Sequence, residues 1–536
     1  MSNKPRQAVA WLTATAIVIF SIGYCVYVWG TVSSVNLSGN AWAIMLVKTA
    51  VELIASSYGI AFLIGAVTYV VMREGVPKPL SAREPAVGIV YLCCDDADWS
   101  ALESLTLLSY TGRLSLIIHD DSRSRESRHK VDRFALDLAR RGSWEVRVLR
   151  RFEKSGGKAG AVNYVLSQTA HLYDYFLLCD NDSTVLDPDT IQRALTYLET
   201  PSVGAVQFRS VPVADPAYCR ANRRLAASIG AFHAFLAPAA RFGWMPFIGH
   251  NALLRSRAVQ DVGGLTPGFF SDDLDLTVRL NVAGYKVAYA SEIRMGEKHP
   301  PSYTAFRKRS YKWAYGCVQT LRAHWATVLT SRQFSFAEKL SFFQFAGFYC
   351  LQCVLLAYLC FVLLAVPFGV LGTFVPDFAS SLLVGTILVG LVYAPLLSFY
   401  IKDPAERSRG WLTTLVLCGL VYGGTDFSVL RGVTDAIGRR RRPWIPTNGV
   451  TANAFDLALF AEAGFGLVLL LVPILYLPEL LYLPCWFLFA GKFLFGPALS
   501  LLYRDHLDDA TQTALHPAPE RALRVELFDA RDSSGV

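Results

Sequence analysis

The sequence predicts an α/β domain, a mostly parallel sheet with helices on both faces, inserted between two groups of membrane-crossing helices. Three observations predict it. The 536 residues are 53% hydrophobic with a mean hydropathy of +0.34, more apolar than a soluble enzyme requires. Apolar runs long enough to cross a bilayer lie towards both ends of the sequence and not in its middle. The middle alternates short β-rich runs with helical stretches, the rhythm of βαβ units.

Residues 8–32 and 43–72 predict a membrane hairpin, giving a first domain of 1–84. The first run lacks a small-residue cleavage site and is therefore expected to span rather than to be removed. Arg6 precedes the hairpin, and Arg73, Lys78 and Arg83 follow it. Basic flanks of this kind place the N-terminus and the following domain in the cytosol. That domain, 85–330, contains VGIVYLCC at 87–94, RLSLIIH at 113–119, WEVRVLR at 144–150, YDYFLLC at 173–179 and VGAVQFR at 203–209, each read as a strand. In such sheets ligands bind beyond the carboxyl ends of the strands.

Membrane texture returns over 331–503. Crossings are expected at 344–372, 380–401, 456–477 and 480–503. The run 410–430 contains Gly423, Gly424 and Asp426 and has arginines on both sides, so it is read as an interfacial helix. The sum is six crossings with both termini inside, and a polar cytosolic tail at 504–536. The membrane segments are read as lacking buried charge pairs, which weighs against a transporter. The net charge of +8 is the loop bias of a membrane protein; no Lys/Arg stripe interleaved with aromatics supports a nucleic-acid partner. Cys350 and Cys353 form an isolated CxxC among eleven scattered cysteines, which are read as small core residues rather than zinc ligands or a disulfide framework.

Four acidic clusters stand near predicted strand ends: Asp95, Asp96 and Asp98; Asp120 and Asp121; Asp180 and Asp182; Asp272, Asp273 and Asp275. One cluster would be an ordinary turn or helix cap. Four at one edge of a sheet concentrate negative charge, which is unfavourable unless cations or donors offset it. Asp180 and Asp182, one residue apart after a strand, suit a hard divalent cation that also binds phosphate oxygens. Lys158, in SGGKAGAVN, places a cation and mobile backbone at a helix start, which suits phosphate.

In their order along the chain these motifs resemble those of family 2 glycosyltransferases. The likeness is nearest to the membrane-embedded branch with cellulose, hyaluronan, chitin and periplasmic glucan synthases. It covers residues 85–320 by motif and the remainder by topology. It implies a GT-A-type (Rossmann-like) cytosolic domain between transmembrane helices, a UDP-sugar donor, a glycan acceptor, and Mg²⁺ or Mn²⁺. Residue by residue, it implies nucleotide-sugar contacts for Asp95, Asp121, Lys158 and Asp180. It implies metal binding by Asp180 and Asp182, and acceptor contacts for His250 and Asn251 in GHNALLR. FFSDDLDLTVRL matches the segment that carries the catalytic base, which places Asp273 in that role with Asp272 beside it. A carboxylate within reach of the acceptor hydroxyl can take its proton as it attacks the anomeric carbon.

Two stretches depart from the family pattern. Where the processive synthases have QxxRW, this chain has Arg309-Ser310-Tyr311-Lys312-Trp313. Trp313 retains a flat apolar face for a sugar, while Arg309 and Lys312 supply charge for the diphosphate without the original fork. RRPWIPTNG at 441–449 resembles the gating loop, with Trp444 and Thr447 in acceptor-facing positions and Gly449 in place of lysine. His299, in EKHPP, is a further candidate metal contact.

The expected function is an inverting, processive transferase of the bacterial inner membrane that builds a β-glucan from UDP-glucose and translocates it. Its expected partners are the lipid bilayer and export proteins of the periplasm or outer membrane. One rival is a non-processive enzyme that adds one sugar to a polyprenyl phosphate or other lipid. The other is a nucleotide-binding transporter or sensor.

Overall fold

The computed structural model describes residues 3–33, 39–71, 80–142, 144–213, 225, 236–365, 424–440, 457–475 and 483–502. Two long helices, α1 (Asn3–Ser33) and α2 (Gly39–Val71), precede the α/β domain. Its strands are β1 (Val87–Cys93), β2 (Leu114–Asp120), β3 (Glu145–Leu149), β4 (Tyr175–Cys179), β5 (Thr184–Val185), β6 (Val203–Val213), β7 (Ala252–Arg255) and β8 (Lys286–Lys298). They form one sheet in the order β3-β2-β1-β4-β7-β6-β8-β5.

The strands β3, β2, β1 and β4 are parallel, as expected, and so are β6 and β8. The strand β7 runs antiparallel to both β4 and β6, and β5 antiparallel to β8, so the sheet is mixed. This reversal places the start of β7 beside the carboxyl end of β4, where Leu178 pairs with Ala252. Neighbouring strand residues point to opposite faces. Ile89, Tyr91, Leu116 and Leu177 therefore pack under α3 (Trp99–Leu105), α4 (Arg125–Arg140) and α6 (Thr190–Leu198). Val90, Ile117, Phe176 and Leu178 pack under α5 (Gly157–Thr169), α7 (Ser256–Asp261) and α8 (Asp272–Val282). Burial on both faces explains why these strands read as nearly continuous apolar runs.

After the sheet come α9 (Tyr303–Thr330), α10 (Phe336–Ala365), α11 (Asp426–Ile437), α12 (Leu457–Leu475) and α13 (Leu483–Leu502). By length and composition, the segments Gln7–Gly30, Met45–Gly65 and Phe336–Tyr358 can each cross a membrane. The span expected from residue 344 begins earlier because Ser335 and Glu338 close a capping box. Ser335 N donates to Glu338 Oε2 at 2.8 Å, and Glu338 N to Ser335 Oγ at 3.3 Å. Within the expected interfacial stretch, α11 starts at Asp426 and runs on to Ile437. The expected crossing at 380–401, the loop with Trp444 and Thr447, and the tail lie outside the described residues.

One expectation is overturned. Arg307 of α9 and Glu462 of α12 form an ion pair at 3.2 Å, their side chains 5% and 0% exposed. Lys492 of α13 pairs with the buried Asp426 of α11 at 2.8 Å. Single charges inside apolar helices barely change average hydropathy, and their partners lie far away in sequence, so the pairs do not show in the pattern.

Candidate active site

The parallel strands bring their carboxyl ends to one edge of the sheet, and the acidic clusters gather there. On the β1–β2–β3 side, Asp95 adopts a left-handed φ of 62°, a conformation Asp tolerates better than most residues. Its carboxylate accepts from the backbone N–H groups of Arg123 and Ser124, each at 3.0 Å. Desolvation works against ionisation, but those donors hold its pKa below the usual carboxylate value. Asp120 is likewise held low against desolvation, by Ser122 N at 2.9 Å and Arg150 Nε at 2.8 Å. Arg151 donates through Nε and Nη2 to Asp121 Oδ2 at 3.0 and 2.6 Å. Lys154 clasps the same loop by donating to the carbonyls of Asp121 and Ser122. Asp98 caps α3 and pairs with Lys298.

The charge of the clusters on this side is offset within the chain. The chain's own arginines and lysines do it. Arg150, Arg151 and Lys154 were missed because the segment RRFEK reads as an ordinary charged turn.

On the β4–β7–β8 side a line of alternating charge crosses the crevice. Lys158, in the first turn of α5, pairs with Asp180 Oδ1. The other oxygen of Asp180 lies 3.8 Å from His250 Nδ1, and His250 Nε2 lies 3.2 Å from Glu297 Oε2. Glu297 Oε1 in turn lies 3.5 Å from Arg309 Nη1, and the Arg309 guanidinium stacks 4.6 Å above the Trp313 ring. Desolvation lowers the His250 pKa, but Glu297 and Asp180 outweigh it and push the imidazole up to about 9. Glu297, near the end of β8, was missed by the sequence reading.

The acidic pair Asp272–Asp273 opens α8. Ser271 occupies the cap position without a side-chain capping bond, so capping does not account for the cluster. Burial, and for Asp272 the adjacent charge of Asp273, push these carboxyls up to about 7 and about 6. Gly249, at φ 91°, lies against them: a Cβ there would sit 3.1 Å from Asp273 Oδ2. Asp275 is a separate buried hub that accepts from Thr266 Oγ1 at 2.6 Å and Arg279 Nε at 2.8 Å, with His324 Nε2 also at 2.8 Å.

Of the remaining expected site residues, Lys312 is half-buried, and desolvation with Lys308 beside it lowers its pKa to about 8. Asn251 is wholly buried and its amide donates to Ser210 Oγ at 3.2 Å. Its carboxamide oxygen is buried and takes no hydrogen bond among the described residues. His299 is buried directly after Lys298. One face of Trp313 is covered by Arg309.

For a divalent cation, the relevant donors are Asp180 and Asp182. Among the described residues no cluster of three or more His, Cys, Asp or Glu could hold a metal by itself. Desolvation, then the negative charges of Glu297 and Asp180, raise Asp182 to about 7. A pair of hard oxygen donors in surplus negative potential fits an ion that fills the rest of its shell from phosphate and water.

Residues 175–424 match the family model described as "Glycosyl transferase family group 2". A beta-monoglucosyldiacylglycerol synthase of Synechocystis sp. is 27% identical over 60% of this chain and 67% of its own length. A glucomannan 4-beta-mannosyltransferase of Arabidopsis thaliana is 24% identical over 63% of this chain, which spans 62% of that relative. A mannosyltransferase from Pyrobaculum calidifontis, solved in complex with GDP-Man and Mn²⁺, superposes with a TM-score of 0.48. It is 15% identical over 74% of this chain and 100% of its own. Residues 175–424 thus resemble a family 2 glycosyltransferase domain, and the relatives that the chain matches are glycosyltransferases.

Proposed function

We propose that this chain takes a hexose from a UDP-sugar, UDP-glucose first among candidates, and adds it with inversion to a growing β-glycan. The reaction takes place on the cytosolic face of a bacterial inner membrane, and the product passes outward among the membrane helices. The observation that supports this reading most is the convergence of Lys158, Asp180, His250 and Asp273 at one end of the sheet.

In this reading Asp95 and Asp121 hold the uridine. Lys158 and Lys312 face the diphosphate. Asp180 and Asp182 would hold Mg²⁺ or Mn²⁺, which supplies charge neutralisation to the departing diphosphate. Asp273 takes the proton of the acceptor hydroxyl as its oxygen bonds to the anomeric carbon and the bond from that carbon to UDP breaks. A pKa near 6 suits a general base in neutral cytosol. Asp272 adds negative charge beside it, and a single displacement needs no second carboxylate as nucleophile.

A second reading, transfer of one sugar to a lipid, has specific support. Arg309 covers a face of Trp313 that a polymer would stack on, and one relative is named as a glucosyldiacylglycerol synthase. Purified protein in nanodiscs, given radiolabelled UDP-sugars with Mg²⁺ or Mn²⁺, separates the two. A long water-soluble polymer supports the first reading. Label confined to extracted lipid, one sugar per molecule, overturns it in favour of the second.

A further inference from the structure

Helix α9 has two working faces. Residues 303, 307 and 311 fall on one side and 309, 313 and 316 on the other, since each residue turns the helix by about 100° and Arg307 and Arg309 diverge by about 200°. The first side meets the elements that follow the catalytic domain. Tyr303 is wedged against Gly424 and Gly496, where an added methyl would overlap its ring or hydroxyl. Arg307 meets Glu462 of α12 at 3.2 Å, and the Tyr311 hydroxyl donates to Asp435 Oδ2 of α11 at 3.1 Å. The second side meets the catalytic groups. Arg309 reaches Glu297 and lies over Trp313. Gly316 lets the helix backbone approach Ser271, the residue before Asp272, so closely that any Cβ would collide with it.

We propose that Glu462 is a positioning residue for sugar transfer: by holding Arg307 it sets where α9 places Arg309, Trp313 and the cap of α8 around the donor. The apolar helix α12 is then part of the catalytic apparatus rather than only an anchor. A buried carboxylate on such a helix is costly unless it is paired, and the cost of unpairing falls on the helix that carries its partner. Displacement of catalytic groups by as little as about 1 Å can reduce turnover about 100-fold.

The inference rests on the proposed transfer reaction for its kinetic readout, so the test has a second readout that does not depend on turnover. Full-length Glu462→Gln protein in nanodiscs is compared with the unaltered chain. Hydrogen exchange is expected to rise in peptides covering 268–275 and 294–300, which hold Ser271 and Glu297, the groups met by the side of α9 away from Arg307. UDP-sugar turnover is expected to fall about 10- to 100-fold while the Kd for UDP changes less than about twofold. Should Glu462→Gln fail to fold, Glu462→Asp, which keeps the charge but shortens its reach to Arg307, is expected to give the same two changes at smaller size. Unaltered exchange in both peptides overturns the proposal whatever the substrate proves to be. Increased exchange with turnover within about twofold of the unaltered chain overturns the kinetic role. An unaltered chain that turns over no sugar nucleotide contradicts the transfer reading alone, and the exchange result still decides the coupling.

Discussion

The two sides of the crevice weight the same residue type differently. On the β1–β2–β3 side, Asp95 and Asp120 are held below the ordinary carboxylate pKa, because backbone amides and Arg150 overcome desolvation. Asp98 is held low on the same side, while burial raises Asp96 to about 6. On the β4–β7–β8 side, Asp182, Asp272 and Asp273 are driven up to about 7, 7 and 6, because they are buried with too few donors. Against its burial, Asp180 is held low there by Lys158 and His250. A carboxylate already satisfied is a fixed structural acceptor. One left in surplus negative potential can take a proton or a cation. In the proposed reading the satisfied carboxylates hold the nucleotide and the raised ones serve the chemistry.

The sharpest way to break this comparison is to withdraw the cation. Chelation is expected to reduce turnover to background, with recovery on adding Mg²⁺ or Mn²⁺, measured as nucleotide release. Full activity in chelator would mean that the resident cations Lys158 and His250 suffice. Next in size is the pH dependence. A carboxylate with a raised pKa loses its charge as pH falls, so kcat/KM is expected to fall below about pH 7 and to rise to a plateau above it. Asp272→Asn removes the group that titrates near 7 and leaves the limb at the Asp273 value of about 6, a shift to lower pH. An unmoved limb would assign the titration elsewhere. The same raised groups make the fold more stable as the pH drops through this window, so activity and their contribution to stability move in opposite directions.

A smaller effect is expected from the satisfied carboxylates. Arg151→Ala leaves Asp121 without its guanidinium partner and is expected to raise the donor KM about tenfold, with a smaller change in kcat. A kcat effect of equal size would place Arg151 in the chemical step. Smallest is Ser335→Ala, which removes half of the capping box of α10 and is expected to cost about 1 kcal/mol of stability with activity unchanged. Thermal unfolding and turnover measured together would check it.

What the sequence made legible follows from locality. Carboxylates directly after parallel strands must emerge at one edge, so Asp95, Asp121, Asp180 and Asp182 could be located without coordinates. The acidic start of α8 could also be located, because the helix that follows it is regular. Three features could not be read. The strand β7 is only four residues long and gives no alternation from which to infer its reversed direction, yet that reversal brings His250 to Asp180. Glu297 ends a strand whose sequence, KVAYASEIRMGEK, mixes apolar and polar residues without a clean period. Arg307 and Glu462 meet across 155 residues, a separation over which local pattern carries no information.

The most direct test of the central claim compares the unaltered chain with Asp273→Asn in nanodiscs, measuring UDP release from UDP-sugars with Mg²⁺ or Mn²⁺ alongside UDP binding. If Asp273 is the base, release falls about 10²- to 10⁴-fold while UDP binds with nearly unchanged affinity. Release that persists near the unaltered rate, with binding intact, would contradict that role and require another group in the crevice to take the proton.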